Sequence, residues 1–155
     1  MTQQELHDFM SAKCFAIMMG SRNADLQPSM QRAFGVMLSD DGSNISAFLP
    51  KALSNKVLVN LNTNGRAAIT VGNPNTHQTL QFKGQYISSH DSTEADMQEV
   101  YQNLGGFGEF VGNVFGEEAL NYMKNFNIFP MITVTFKVED IFDQTPRPGT
   151  GQKIN

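Results

Sequence analysis

Three consecutive residues, Ser54-Asn55-Lys56, stand where a helix is expected to begin, and their types suit the binding of a compact anion. Serine is a common N-cap, because its hydroxyl can accept a bond from a free backbone N–H of the first turn. Val57, Leu58 and Leu61 would then form an apolar stripe, with Asn64-Gly65 as the stop. The first turn of a helix carries partial positive charge and ordinarily attracts Asp or Glu. This one carries Lys56, with Lys51 just upstream. From Gly42 through His90 there is no acidic residue, while Lys51, Lys56, Arg66 and Lys83 all lie there, a segment of +4 in a chain of net charge -4. Such a segment is either a solvated basic face or a site for an anion such as a phosphate, held by a helix N-terminus and a lysine. Lys56 favours the second reading, since an anion turns an unfavourable position into a favourable one.

Other residue groupings carry less chemistry. His7, His77 and His90 are far apart and lack metal-ligand spacing, which points to structural or surface histidines and no metal site. Asp40-Asp41-Gly42 lacks the later ligands of a calcium loop and reads as a turn. The stretch GGFGEFVG has no following Gly-Lys-Ser/Thr and is not a phosphate loop. It is either a flexible connection between helices or a lid in which Phe107 and Phe110 cover a planar ligand. Cys14 opens the apolar run CFAIMM and reads as a core residue rather than a nucleophile; being the only cysteine, it forms no internal disulfide.

The elements that must position these residues come from one domain, residues 1–155. The length suffices for a real core, and 40% hydrophobic with 17% charged residues is a globular composition. A net charge of -4 and three tyrosines argue against a nucleic-acid binder. The N-terminal MTQQELHDFMSAK has no apolar core of signal-peptide length, and no later apolar run approaches the ~18 residues of a membrane span. The expected location is the cytoplasm, with no membrane partner.

Thr2 and Glu5 form a capping-box pattern, and Leu6, Phe9 and Met10 share a helical face. CFAIMMGS, SMQRAFGVML and NISAFL read as three strands, with turns at NADLQP and DDGS. After the helix at Ser54, RAAITVG is a strand. HQTLQFKGQYI alternates, with Leu80, Phe82 and Tyr86 on one face and Thr79, Gln81, Lys83 and Gln85 on the other. STEADMQEVYQNL has an N-cap signal at Ser92, and EEALNYMKNF is a further helix. MITVTFKV alternates with Ile132, Val134, Phe136 and Val138 inward, before a Pro- and Gly-rich tail. The result is a mainly β domain of antiparallel strands with a helical excursion before the last long strand, an order consistent with a small barrel.

LQPSMQRAFGVML, ISAFLPKALSNKVLVNL, RAAITVGNP and QTLQFKGQYI, in this order and spacing, resemble the pyridoxamine 5'-phosphate oxidase-like FMN-binding split barrels; VEDIFDQTPRPGTG resembles the last strand and terminus of small bacterial members. The resemblance spans about Phe15 to Gly151. It implies a homodimeric split β-barrel with FMN in a groove between subunits and an oxidoreductase activity on a small molecule. The FMN phosphate would lie on Ser54, Asn55 and Lys56, and the strand end Phe48, Leu49 and Pro50 would lie beside the ring. The family commonly adds an arginine from the second strand. Here Gln31 holds that position and Arg32 follows, pointing to the opposite face unless a bulge corrects it. Where the family commonly has a ring-contacting glutamine, Thr79 stands, with Gln78 beside it. The chain has no Trp and lacks the C-terminal signature of true pyridoxamine-phosphate oxidases. Two functional classes follow: an FMN-dependent oxidoreductase, or a non-catalytic split barrel holding FMN, haem, another planar ligand or none.

Overall fold

The computed structural model describes residues 1–155. Apolar runs, alternating in burial in β1 and β5 and almost continuously buried in β4, build the strands β1 (Ala16–Arg22), β2 (Pro28–Ala33), β3 (Gly35–Leu38), β4 (Asn44–Pro50), β5 (Arg66–Gly72), β6 (Thr79–Asp91) and β7 (Met131–Asp143), with a short β8 (Gln152–Lys153) on β7. Every pairing is antiparallel, in the order β2-β1-β5-β6-β7-β4-β3. The two terminal strands of that order, β2 and β3, are consecutive in the chain and separated only by Phe34. The single strand expected across SMQRAFGVML is therefore two. Ala33 still pairs with Ile17 of β1, whereas Gly35 pairs with Phe48 of β4. One continuous stretch thus joins both edges of the sheet and closes it into a barrel.

The inward faces fill that barrel. Met19, Ile45, Ile69, Leu80, Phe82 and Phe136 are fully enclosed, and Ile132 and Val134 face inward as their alternation requires, with Val138 half-buried. Helix α1 (Gln3–Met10) has the expected Thr2/Glu5 capping box and buries Leu6, Phe9 and Met10 on the core. Helix α2 (Asn55–Asn64) buries Val57 and Leu61, and Gly65 ends it in the left-handed conformation, φ 69°. None of the helices is long and apolar enough to cross a membrane.

The excursion between β6 and β7 holds helices α3 (Glu94–Phe115) and α4 (Glu117–Lys124). Thr93 rather than Ser92 caps α3. Its hydroxyl accepts from the Asp96 N–H, and the Asp96 carboxylate accepts from the Thr93 N–H, while Ser92 is used by Thr133. The Gly-rich stretch is no flexible connection; it is helical through Phe115. Its glycines are points of close approach. A Cβ on Gly106 would stand 2.3 Å from the Lys13 carbonyl oxygen, and one on Gly108 would crowd Met123 and Leu120 of α4.

One buried side chain ties α3 to the barrel. Asn103 accepts from the Phe15 N–H at 2.8 Å and donates to the Phe15 and Phe34 carbonyls at 3.2 and 3.1 Å. Asn103→Ala leaves these buried backbone groups without partners, so it should lower unfolding free energy by about 2–4 kcal/mol. Replacing exposed Gln102 one position earlier should change it by under about 0.5 kcal/mol. Urea unfolding of both variants checks this, and equal effects would contradict it.

Candidate functional site

Pro50, at the end of β4, leads through a 3₁₀ turn (Lys51–Leu53) into α2. Because that turn runs straight into the helix, Ser54 already has helical backbone angles, φ -93° and ψ -4°. Its hydroxyl is fully buried and donates backward to the Pro50 carbonyl at 2.7 Å, so the expected side-chain cap is not made. Ser54 instead locks the strand end to the helix start. The first i→i−4 bond runs from the Leu58 N–H to the Ser54 carbonyl. The N–H groups of Asn55, Lys56 and Val57 lie ahead of it with no side-chain cap, and the Asn55 and Lys56 side chains are exposed.

The basic segment resolves into four different cases. Lys51 pairs with Asp91 at 2.5 Å, Arg66 pairs with Glu139 at 2.6 Å, and Lys83 sits 4.4 Å from the centre of the Phe142 ring. Lys56 has neither a carboxylate nor a ring partner. The one cation of this segment left unpaired is the one at the helix start.

Pro50 and Leu53 also line a cavity of about 430 Å³ between the barrel and the α3–α4 pair. Its other walls include Phe34, Asn103, Phe107 and Ile128, and no Asp, Glu, His or Cys reaches it. A second cavity of about 450 Å³ shares the Phe34, Leu104, Met123, Phe126 and Ile128 walls. Both volumes fall in the range of small-ligand pockets, roughly 300–1,000 Å³. Of the strand end expected beside a ring, only Pro50 lines this cavity. Phe48 and Leu49 are fully enclosed, and the Phe48 carbonyl is taken by the Phe34 N–H at 2.9 Å.

Gln31 and Arg32 lie on opposite faces of β2. The register with β1 is regular here, Met19 against Gln31 and Met18 against Arg32, so no bulge redirects Arg32. Asn60 of α2 donates to Ser21 and Ser29, which places α2 on the face that Ser29 shares with Gln31. Arg32 leaves on the other face and stacks on Phe34 and Phe107, with its guanidinium carbon 5.4 and 5.0 Å from the ring centres. Phe107, expected as part of a lid, does line the cavity, but from a helix; its ring centre is 6.0 Å from that of Phe110.

Gln78 and Thr79 lie elsewhere. Pro50 pairs with Met131 at one end of β7, while Leu80 pairs with Asp143 at the other, twelve residue steps away and at most roughly 40 Å. Thr79 is engaged locally, its N–H donating to Thr145 Oγ1 at 3.1 Å and its hydroxyl to the His77 carbonyl at 3.2 Å. Within one chain, the residues at the start of α2 and those at the start of β6 do not converge.

The remaining groups have local roles. Cys14 is buried, and burial disfavours its thiolate and pushes its pKa up, against the opposing effect of a hydrogen bond from the Asn75 amide at 3.4 Å. Asp41 closes the β3–β4 turn, its carboxylate held at a pKa of about 2 by hydrogen bonds from Ser39 and Ser43. No group of three or more His, Cys, Asp or Glu side chains is gathered as a metal site would need. Sequence reasoning missed the cavity walls Met123, Phe126 and Ile128, which come from an apolar stretch with no distinctive pattern. It also passed over Asn103, a polar residue in the inward stripe with Val100 and Phe107. A lone amide on an apolar helical face is the signal that marks such a pin.

No family model and no curated protein matches the sequence. Solved structures do. The chain is similar to a Clostridium acetobutylicum protein related to general stress protein 26 of B. subtilis, of the pyridoxinephosphate oxidase family (TM-score 0.57, 12% identity, 99% of this chain and 93% of that one). It is similar to an FMN-binding protein from Syntrophomonas wolfei (0.56, 10%, 91% and 84%). A third match is HutZ, the heme storage protein from Vibrio cholerae (0.50, 14%, 92% and 94%). An FMN-binding protein and a heme storage protein on one scaffold show what the chain is built as, not what it holds. Its fold is the pyridoxamine 5'-phosphate oxidase-like split barrel.

Proposed function

We propose that this chain is an FMN-binding protein, with the phosphate at the start of α2 and the flavin ring reaching over Pro50 and Leu53 towards the apolar cavity. The observation that carries the reading is Lys56, the one cation of the acid-free segment without a partner, standing on a helix start whose first N–H groups have no side-chain cap. A phosphate supplies what both lack. The Asn55 and Lys56 N–H groups donate to its oxygens, and Lys56 adds a point charge. Ser54 has a different part from the one its type suggests: its bond to Pro50 holds the helix start against the cavity rim. Arg32, turned towards α3, is not in this phosphate set.

When bound, the flavin supplies the electron transfer, which suits a cavity lined by no acid, base or thiol. The protein's part is to bind, to orient and to exclude water with Phe34, Phe107 and Ile128. The best-supported activity is an oxidoreductase acting on a small molecule. The same lack of titratable groups also favours the second reading, a non-catalytic carrier of a planar ligand.

Titration with FMN and riboflavin, followed by flavin fluorescence, tests the phosphate. FMN should bind more tightly by about tenfold or more. Equal affinities would remove the argument. Lys56→Ala should weaken FMN binding about tenfold to hundredfold while leaving the flavin-free melting temperature equal or higher, because a lysine opposes the dipole at a helix start. Lys83→Ala should cost only its ring contact and leave FMN affinity unchanged.

The distance between α2 and the start of β6 gives this reading a structural demand. Gln78 and Thr79 meet a flavin only if a second copy presents them, so the chain works as a symmetric dimer with the cofactor groove at the interface. Met18, Met30 and Leu53 are exposed apolar residues available to such a contact. Light scattering at micromolar concentration should give twice the 17.2 kDa chain mass. A monomer would contradict it.

A further inference from the structure

Four arginines are present, and three are satisfied by the protein: Arg22 donates to the Asn23 carbonyl, Arg66 pairs with Glu139, and Arg147 pairs with Asp143. Arg32 is exposed, donates no hydrogen bond to the protein and pairs with no carboxylate; its contacts are the Phe34 and Phe107 rings. Phe34 and Phe107 hold its guanidinium at the mouth of the 430 Å³ cavity. Rings on its face leave the N–H edge as the part that can recognise something, and that edge matches a carboxylate in a two-bond fork.

We infer that the cavity with Arg32 is a binding site for a small amphipathic carboxylate, the acid group on the Arg32 edge and the apolar body between the barrel and α3–α4. Three observations select this class. Arg32 is the only charged residue lining the cavity, which suits one negative charge rather than a phosphate dianion. The interior beyond it is walled by Phe15, Leu104, Val111, Met123, Phe126 and Ile128, which suits a hydrocarbon or aromatic body. Of the three neutral polar side chains on its walls, Asn103 bonds the Phe15 and Phe34 backbone and Gln31 donates to the Arg32 carbonyl at 3.3 Å, and only Asn127 is left. They leave a neutral polar ligand little to bind. The site goes beyond the flavin reading and does not require it, because Arg32 and Lys56 leave their elements on different faces.

The test uses two matched probe pairs on flavin-free protein by calorimetry: 2-naphthoate with 2-naphthamide, and octanoate with octanamide. At least one acid should bind at least tenfold more tightly than its amide. Arg32→Met keeps an apolar stem against the rings and removes the charge; it should erase that ratio while a thermal melt shows the fold intact. Equal binding of acid and amide to the wild-type protein, no binding of either pair, or an unchanged ratio in Arg32→Met would each overturn the inference. The wild-type comparison stands even if the variant fails to fold. A failed FMN titration would leave this result unaffected, so the two readings fail separately.

Discussion

A single residue carries the strand that closes this barrel from one sheet edge to the other. Between Ala33 and Gly35 the chain stops pairing with β1 and starts pairing with β4, and Phe34 makes the crossing. Its backbone groups have no ladder partner of the ordinary kind, and such groups are costly to leave unpaired away from water. Both are met. The N–H donates to the Phe48 carbonyl, and the carbonyl accepts from Asn103 of α3. Gly35 follows because nothing larger fits: a Cβ there would stand 2.8 Å from the Phe48 ring and 3.2 Å from the Val100 backbone. The same crossing sets the ring of Phe34 into the walls of both cavities and against Arg32. Closure, docking of α3 and construction of the cavity are one packing event.

Function then depends on where positive charge is left unspent. Most cations of this chain are absorbed by carboxylates or rings, and pairs so exposed add little to stability. Two others matter here: Arg32 lines the cavity, and Lys56 follows the rim residue Leu53 by three positions. Lys56 rides on a helix start and reinforces a dipole, an arrangement that suits a phosphate. Arg32 is a planar fork steadied by two rings, an arrangement that suits a carboxylate. A cavity without acids or bases between them fits a site whose redox chemistry comes from a cofactor, with the chain supplying position and dryness.

Much of this was legible in the residues, for identifiable reasons. Strong alternation in HQTLQFKGQYI and MITVTFKV and the Gly65 stop follow from local periodicity and local backbone preference, and the structure has all three. The errors arose where tertiary contacts decide. SMQRAFGVML reads as one strand because no proline or turn dipeptide interrupts it; only the change of partner at Phe34 divides it. Ser54 reads as a cap by type, but a preceding 3₁₀ turn had already made its backbone helical. GGFGEFVGNVFG reads as a loop because glycine disfavours helix; here that cost is offset by packing against Lys13, Leu120 and Met123. The cavity was invisible from sequence, since its walls come from β2, the end of β4, α3 and the segment after α4, and nothing local marks them as neighbours.

The central claim is that the unpaired charge at the start of α2 belongs to the phosphate of a flavin. The most direct measurement is the visible absorption spectrum of the freshly purified protein, with the chromophore released by denaturation and identified by mass. The account predicts the two-banded spectrum of a flavin and a released molecule that carries the phosphate, FMN rather than riboflavin. A haem spectrum, or a colourless protein that stays colourless after incubation with FMN and removal of the excess, would contradict it.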